Sequence, residues 1–373
     1  MADKPQQSTV SIVELERSTL EQLLADRGIE RFRARQLFGW IYKRGVASFD
    51  AMTNLPRDLR KRLASDFLME TPQLAARERS TDGTEKFLLE LADGRRIESV
   101  FIPDTPANTF CISTQVGCAM ACSFCLTGKM GLVRNLTAGE IAGQVLALAD
   151  ALGLRGKAFN IVLMGMGEPL HNYDETMKAL RILNDPEGLA LPMRRVTLST
   201  VGLLPALERL AREPLMPNLA ISLHAPDDAL RGDLVPINRK YGVADIIAAC
   251  RRFPLKKRAR ITFEYVLLAG VNDRPEDARA LARLLTGIKS KVNLIPLNAA
   301  AGIPYDRPSD EAVDRFGKIL ADRGLTVSVR KSRGRDIRAA CGQLIVESER
   351  RSSGQKLAAI MRNDAQTHPG VAR

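Results

Sequence analysis

The chain has 373 residues, 45% apolar and 26% charged, and its 55 lysines and arginines against 43 aspartates and glutamates leave a net charge of +12, which suits a polyanionic partner, most simply nucleic acid. No apolar run reaches the roughly 18–20 residues of a membrane span, and the opening MADKPQQSTV has no apolar signal core, so no membrane attachment is expected. Six cysteines are too few for a disulfide scaffold and point to the cytoplasm, three histidines argue against a multi-histidine metal centre, and 5% aromatic content argues against a base-stacking platform.

Residues 1–18 read as a mobile polar tail. Over 19–70 the period is helical: LEQLLADRG and RFRARQLFGWIYKRG each close on a glycine, and LPRDLRKRLASDFL follows. This predicts a small helical accessory domain with basic outer faces. Residues 71–104 alternate, and KFLLELADGRRIESVFIP carries Asp93-Gly94, a hairpin signal. From 105 to 345 strand and helix patterns alternate. The strands are TFCISTQV, FNIVLMG, RVTLSTV, LAISLH, ITFEYVLL and VNLIPL, with LTVSVRK as a candidate seventh; TAGEIAGQVLALADALG and DETMKALRILND are helical. The fold class is therefore α/β, with a parallel sheet curled into a full or partial barrel. Residues 346–373 read as a C-terminal helix and loose tail.

Two local patterns carry chemistry. Cys118, Cys122 and Cys125 are spaced x3 then x2, so three thiolates fit around one metal centre. Soft thiolates select zinc, copper(I) or an iron–sulfur cluster. Structural zinc takes four ligands, and the fourth would come from Cys111 or Cys341; a cluster held by three cysteines instead leaves one iron open to a substrate. The second pattern is Met164-Gly165-Met166-Gly167-Glu168-Pro169 at the end of strand FNIVLMG. Glycines at a strand end let a backbone approach a ligand, proline suits the first turn of the next helix, and no P-loop lysine is present.

Together these features resemble the radical S-adenosylmethionine (SAM) superfamily. The segments MTNLP, IESVFIP, CISTQVGC, MGMGEP, RRVTLST, LAISLHAPDD, VPINRKY, EYVLLAGVND, NLIPLN and Ala340-Cys341-Gly342 resemble the RlmN-type adenosine C2 methyltransferases over nearly the whole chain. The resemblance implies a partial (β/α)6 radical SAM barrel with an N-terminal helical accessory domain and a β-hairpin extension. It implies a 4Fe–4S cluster on Cys118, Cys122 and Cys125, and SAM contacts from Gly167, Glu168, Ser199, Ser222, Leu223, His224 and Asn298. Adenine C2 is too electron-poor to displace a methyl group from SAM directly. The family's scheme has Cys341 take a methyl group from one SAM by displacement. A 5′-deoxyadenosyl radical from a second SAM then abstracts hydrogen from that methyl, and the carbon radical adds to C2. Glu98 would take the C2 proton. Cys111 would release the product by attacking Cys341, leaving a transient disulfide.

The implied substrates are 23S rRNA at the peptidyl transferase centre and tRNA at the adenosine beside the anticodon. An electron donor such as flavodoxin with its reductase would act with a monomeric enzyme. A close relative methylates C8 of the same rRNA adenosine and shares these cysteines. A zinc-stabilised RNA-binding protein would account for the charge and the cysteine cluster, but not for the Gly-Met-Gly-Glu-Pro turn. Cys250 reads as a buried helix residue. Of two basic runs, the one through Arg330, Lys331, Arg333, Arg335 and Arg338 is better placed for RNA than Arg251, Arg252, Lys256, Lys257, Arg258 and Arg260. Gly334 suggests a flexible loop that presents Cys341.

Overall fold

The computed structural model describes residues 10–103 and 107–349. The N-terminal module contains β1 (Val10–Ser11), α1 (Arg17–Asp26), α2 (Arg33–Phe38), α3 (Arg57–Asp66) and β2 (Phe67–Leu68), which pairs in parallel with β1. The expected tail boundary at residue 18 therefore falls inside ordered structure. Ile12 and Val13 are buried, and the Tyr42 hydroxyl donates to the Val13 carbonyl at 2.8 Å. A segment this short shows no period, which is why the sequence reads as tail. Residues 1–9 lie outside the described residues.

Three antiparallel strands follow: β3 (Gln73–Arg79), β4 (Glu85–Glu90) and β5 (Arg96–Ile102). The hairpin turn forms at Asp93-Gly94, with Gly94 at φ +78 and the Arg95 N–H donating to Asp93 Oδ1 at 3.1 Å. β3 adds a third strand to the expected hairpin. All seven of its residues are exposed, so it has no apolar face to betray it.

The remainder runs β6 (Thr109–Cys111), β7 (Gln115–Val116), α4 (Leu126–Met130), β8 (Arg134–Asn135), α5 (Ala138–Ala151), β9 (Asn160–Leu163), α6 (Tyr173–Asn184), β10 (Val196–Thr200), α7 (Leu204–Leu210), β11 (Asn218–Ser222), α8 (Asp228–Leu234), α9 (Val243–Arg252), β12 (Ile261–Leu267), α10 (Pro275–Leu284), β13 (Ser290–Pro296), α11 (Asp310–Ala321) and β14 (Thr326–Val329). One ten-stranded sheet has the order β14-β13-β12-β11-β10-β9-β6-β5-β4-β3. Within it every pairing from β6 to β14 is parallel and β5 joins β6 antiparallel, while β7 and β8 form a separate antiparallel pair. The candidate seventh strand is thus real as β14. The order is linear, so the barrel is partial and open. Of the expected C-terminal helix, the described residues include only a 3-10 turn at Glu347–Glu349; 350–373 lie outside them. No described helix is long and apolar enough to cross a membrane.

Helix α5 shows how the N-terminal module meets the barrel. Thr137 caps it through a reciprocal box with Glu140: the Glu140 N–H donates to Thr137 Oγ1 at 3.2 Å, and the Thr137 N–H donates to Glu140 Oε2 at 2.9 Å. One turn apart on this helix stand Gly139 and Gly143. A Cβ at Gly139 would meet Glu14 Cγ at 2.7 Å, and one at Gly143 would meet Pro72 Cδ at 2.4 Å. Both glycines are therefore gaps: the N-terminal module packs into the first, and the segment leading into β3 packs into the second. Gly143→Ala gains about 1 kcal/mol of helix propensity but overpacks at a cost of about 1–3 kcal/mol. A proline ring cannot swing away, so the second effect wins. Denaturant unfolding should show a net loss of up to about 2 kcal/mol.

Candidate active site

A cavity with about 980 Å³ of space, open solvent included, lies at the C-terminal ends of the barrel strands, the face on which barrel enzymes build their sites. Its wall includes Cys118, Cys122, Cys125, Gly167, Glu168, Ser199, Ser222, His224, Asn298 and Cys341. Ten residues singled out from the sequence thus meet on one surface. Leu223, Glu98 and Cys111 are not on it.

The cysteine loop is held from three sides. Gly117 has φ +77, and a Cβ there would stand 1.9 Å from the Gly131 oxygen. Only glycine fits, and the next N–H, that of Cys118, donates to the same carbonyl at 3.2 Å. The Ser123 N–H donates to Leu234 O at 3.0 Å, and the Leu126 N–H to Gly342 O at 2.8 Å. Burial raises the proton affinity of all three thiols, and for Cys118 and Cys122 the neighbouring cysteines add to it. The thiols therefore share one electrostatic environment. Among the described residues no three His, Cys, Asp or Glu side chains converge on a single ion.

The Gly-Met-Gly-Glu-Pro turn is pinned to the loop after β6. The Met166 N–H donates to Ser113 Oγ at 2.8 Å, and the Glu168 N–H to Gln115 Oε1 at 3.0 Å. A Cβ at Gly165 would meet Ser113 Oγ at 2.7 Å, and one at Gly167, with φ +105, would meet Gln115 Cβ at 2.7 Å. The glycines thus make room for the neighbouring loop, which leaves the turn's other side on the cavity wall. The Glu168 carboxylate accepts from the N–H of Leu170 at 3.0 Å and of Val201 at 2.9 Å. Burial nevertheless pushes its pKa up to about 7, against those bonds.

Ser199 and Ser222 face each other from β10 and β11, Oγ to Oγ 3.2 Å. His224 has φ +63, and its Nδ1 accepts the Val266 N–H at 3.1 Å. A backbone N–H can only donate, so the ring proton sits on Nε2. Burial, with Arg231 nearby, lowers its pKa to about 3, so the ring is neutral. Asn298 Oδ1 is buried with no hydrogen-bond partner in the structure, an acceptor facing an unmet demand. Leu223 is fully buried; its N–H donates to Glu264 O at 3.1 Å and its carbonyl accepts from Arg231.

Sequence reasoning missed Arg231. Its side chain is fully buried and donates to the carbonyls of Leu223 at 2.9 Å, Val201 at 2.6 Å and Ser222 at 3.1 Å, and to Asn238 Oδ1 at 2.8 Å. Burial lowers its pKa to about 10, with Cys122 and Asp228 opposing, so it stays charged. Position 231 gave no signal, being one arginine among many. Glu264 was also missed: it lines the cavity, is buried, and accepts from Asn293 Nδ2 at 2.7 Å.

Cys341 projects into the open cavity and is exposed, although protein surrounds the cavity itself. That enclosure raises its thiol, while the Arg330 guanidinium opposes the rise. Cys111, at the end of β6, is buried; burial and then Cys341 push its pKa up to about 12, with Arg330 opposing. One guanidinium thus serves both thiols. Glu98 is buried on β5, with Oε1 3.0 Å from Lys86 Nζ and Oε2 accepting the Ile345 N–H at 2.8 Å. Burial raises its pKa, and Lys86 opposes. Cys250 is buried on α9, as read. Gly334 is no free hinge: it is buried at φ +62, its N–H donates to Asp82 Oδ2 at 2.9 Å, and a Cβ would meet Ala339 and Thr84.

Arg231→Met should cost about 3–5 kcal/mol in denaturant unfolding, since it strands three carbonyls. Arg231→Lys, which keeps the charge but loses the planar fork, should recover only part of that.

A family model described as the radical SAM superfamily matches residues 112–284, and one described as the ribosomal RNA large subunit methyltransferase N-terminal domain matches 10–68. The chain is 52% identical over 325 residues to the dual-specificity RNA methyltransferase RlmN of Geobacter sulfurreducens, covering 87% of this chain and 89% of that protein. To the protein of the same name from Rhodospirillum rubrum it is 47% identical over 371 residues, covering 97% and 86%. The crystal structure of a radical SAM methyltransferase from Sphaerobacter thermophilus matches with a TM-score of 0.86 at 49% identity, covering 90% of this chain and 99% of that one. Similarity on this scale, over a barrel whose three-cysteine loop and Gly-Met-Gly-Glu-Pro turn share one cavity, places the chain in the RlmN family of radical SAM RNA methyltransferases.

Proposed function

We propose that the protein methylates C2 of adenosine in RNA, with Cys341 as the methyl carrier. The substrates are 23S rRNA at the peptidyl transferase centre and tRNA at the adenosine beside the anticodon. The observation that carries the reading is Cys341 on the same cavity wall as the three-cysteine loop and Glu168, with Cys111 close behind.

Cys118, Cys122 and Cys125 would hold a 4Fe–4S cluster, which supplies the electron that makes a second SAM a radical source. The donor set fits in kind: three soft thiols, two buried and one half-buried, line one cavity, where a structural zinc would want a fourth ligand. The orphaned Asn298 Oδ1 fits a donor of SAM, and Glu168 fits its ammonium. The two serines and Nε2–H of His224 add hydroxyl and N–H contacts for the rest of SAM, and Leu223 contributes through its backbone.

The residues then act in sequence. Arg330 favours the thiolate of Cys341, which attacks the SAM methyl carbon; an S–C bond forms and S-adenosylhomocysteine leaves. Once the carbon is joined to adenine C2 and the adduct radical has given up one electron, which the cluster would take back, Glu98 accepts the C2 proton, its raised proton affinity suiting a base. The Cys111 thiolate attacks the Cys341 sulfur; the S–C bond breaks with its electron pair on carbon, which takes a proton to become the C2 methyl, and a Cys111–Cys341 disulfide remains for a thiol reductant to reopen. An external one-electron donor of the flavodoxin type completes the cycle, and the enzyme works as a cytoplasmic monomer.

Mass spectrometry of RNA after anaerobic incubation with reconstituted protein, SAM and reductant tests the reading. It should give 2-methyladenosine. Cys341→Ala should abolish the product, and Cys111→Ala should leave RNA covalently attached to the protein. 8-Methyladenosine as the product would refute the C2 assignment. A second outcome concerns pH. Glu168 must be ionised to hold an ammonium, and its pKa is pushed up to about 7. SAM affinity, measured by calorimetry, should therefore rise between about pH 6 and pH 8, and Glu168→Gln should remove that rise.

A further inference from the structure

A second cavity, with about 1640 Å³ of open space, lies in the barrel lumen. The first residues of β6, β9 and β11 (Thr109, Asn160 and Asn218) stand on its wall. It therefore opens at the N-terminal ends of the strands, opposite the three-cysteine loop. Six cations line it: Arg194, Arg195, Lys291, Arg330, Lys331 and Arg333. Glu264 also lines it, but that carboxylate is already engaged by Asn293 and faces the Arg330 charge. Among the described residues none of the six cations forms an ion pair. A cavity with this surplus is built for anions.

The lumen and the SAM cavity meet at Cys341. A narrow space is lined by Ile102, Arg330 and Arg333, which also line the lumen, and by Asn298 and Cys341, which also line the SAM cavity. Cys341 thus stands between the two cavities, on the wall of the SAM cavity and of the narrow space that joins it to the lumen. The pinned Gly334 indicates that the partition is not held on a loose hinge.

We infer that the target nucleotide enters through this lumen. Its flanking phosphates are held by Arg194, Arg195, Lys331 and Arg333, and its base reaches Cys341 from the side away from SAM. The inference rests on the RNA-methylation reading above and adds the route to it. The lumen would take one nucleotide out of its stack rather than a duplex. The cations contact phosphate and so position the RNA without reading its sequence. Arg194, Arg195 and Lys291 belong to neither basic run of the sequence; the barrel brings them beside the second run.

The test is fluorescence anisotropy of a labelled tRNA anticodon stem-loop with reconstituted holoprotein at several salt concentrations. Arg194→Glu with Arg195→Glu, and separately Lys331→Glu, should weaken binding at least about tenfold, with a log–log salt dependence shallower by about one per cation. Arg251→Glu with Arg252→Glu, the same charge change at the end of α9, should shift affinity no more than about twofold. Iron–sulfur absorption reports folding, and if a reversal fails to fold, Arg194→Gln with Arg195→Gln is read in the same two ways. If the lumen variants match the α9 variant in both affinity and salt slope, the route is wrong. That outcome is separate from the wild-type product, which tests the methylation reading itself.

Discussion

The cavity is organised around one buried positive charge. Removing a guanidinium from water is costly, and Arg231 recovers the cost through four hydrogen bonds, three of them to carbonyls at or just past the ends of β10 and β11. Those strand ends carry Ser199, Ser222 and His224. Val201, whose carbonyl Arg231 binds, also gives its N–H to Glu168. A single side chain on α8 therefore fixes two strand ends and, through them, the turn after a third. An apolar side chain of the same size would leave those carbonyls unpaired. The same cation lies beside Cys122, so it also places positive charge where thiolates would gather.

The other organising element is the chain's return after β14. Gly342 O accepts the Leu126 N–H, Leu344 O accepts Thr127 Oγ1 at 2.6 Å, and Glu98 accepts the Ile345 N–H. The segment bearing Cys341 is thus sewn to the cysteine loop on one side and to the extension on the other. Glu98 stands off the cavity wall, yet it helps set where Cys341 lies. The antiparallel extension is in this sense part of the site, although it lines none of the SAM cavity.

How much of this could be read from the sequence depended on whether a feature was local. Cys118, Cys122 and Cys125 sit within eight positions, and Gly165 to Glu168 follow a strand directly, so spacing exposed them. The parallel strands read as apolar runs because most of their residues are buried. Arg231, Glu264 and Arg330 act through bonds and fields that join distant segments, and charge alone could not separate them from other charged residues. Strand β3 was hidden for the opposite reason, because its exposed, polar face carries no pattern. Gly334 misled because glycine permits both looseness and a tight left-handed turn; here Asp82 and Thr84 take the second.

The linear strand order has its own consequence. A sheet that does not close has two edges with unpaired N–H and C=O groups, each a template for another chain. At one edge β3 carries Arg77, Glu78 and Arg79 and is exposed throughout. At the other, β14 reads Thr-Val-Ser-Val with Val329 44% exposed, and Arg330 and Lys331 follow it at once. Charge on both margins discourages the stacking of one barrel's sheet on the next. The unclosed edges of the sheet are thereby kept from becoming a seam for aggregation.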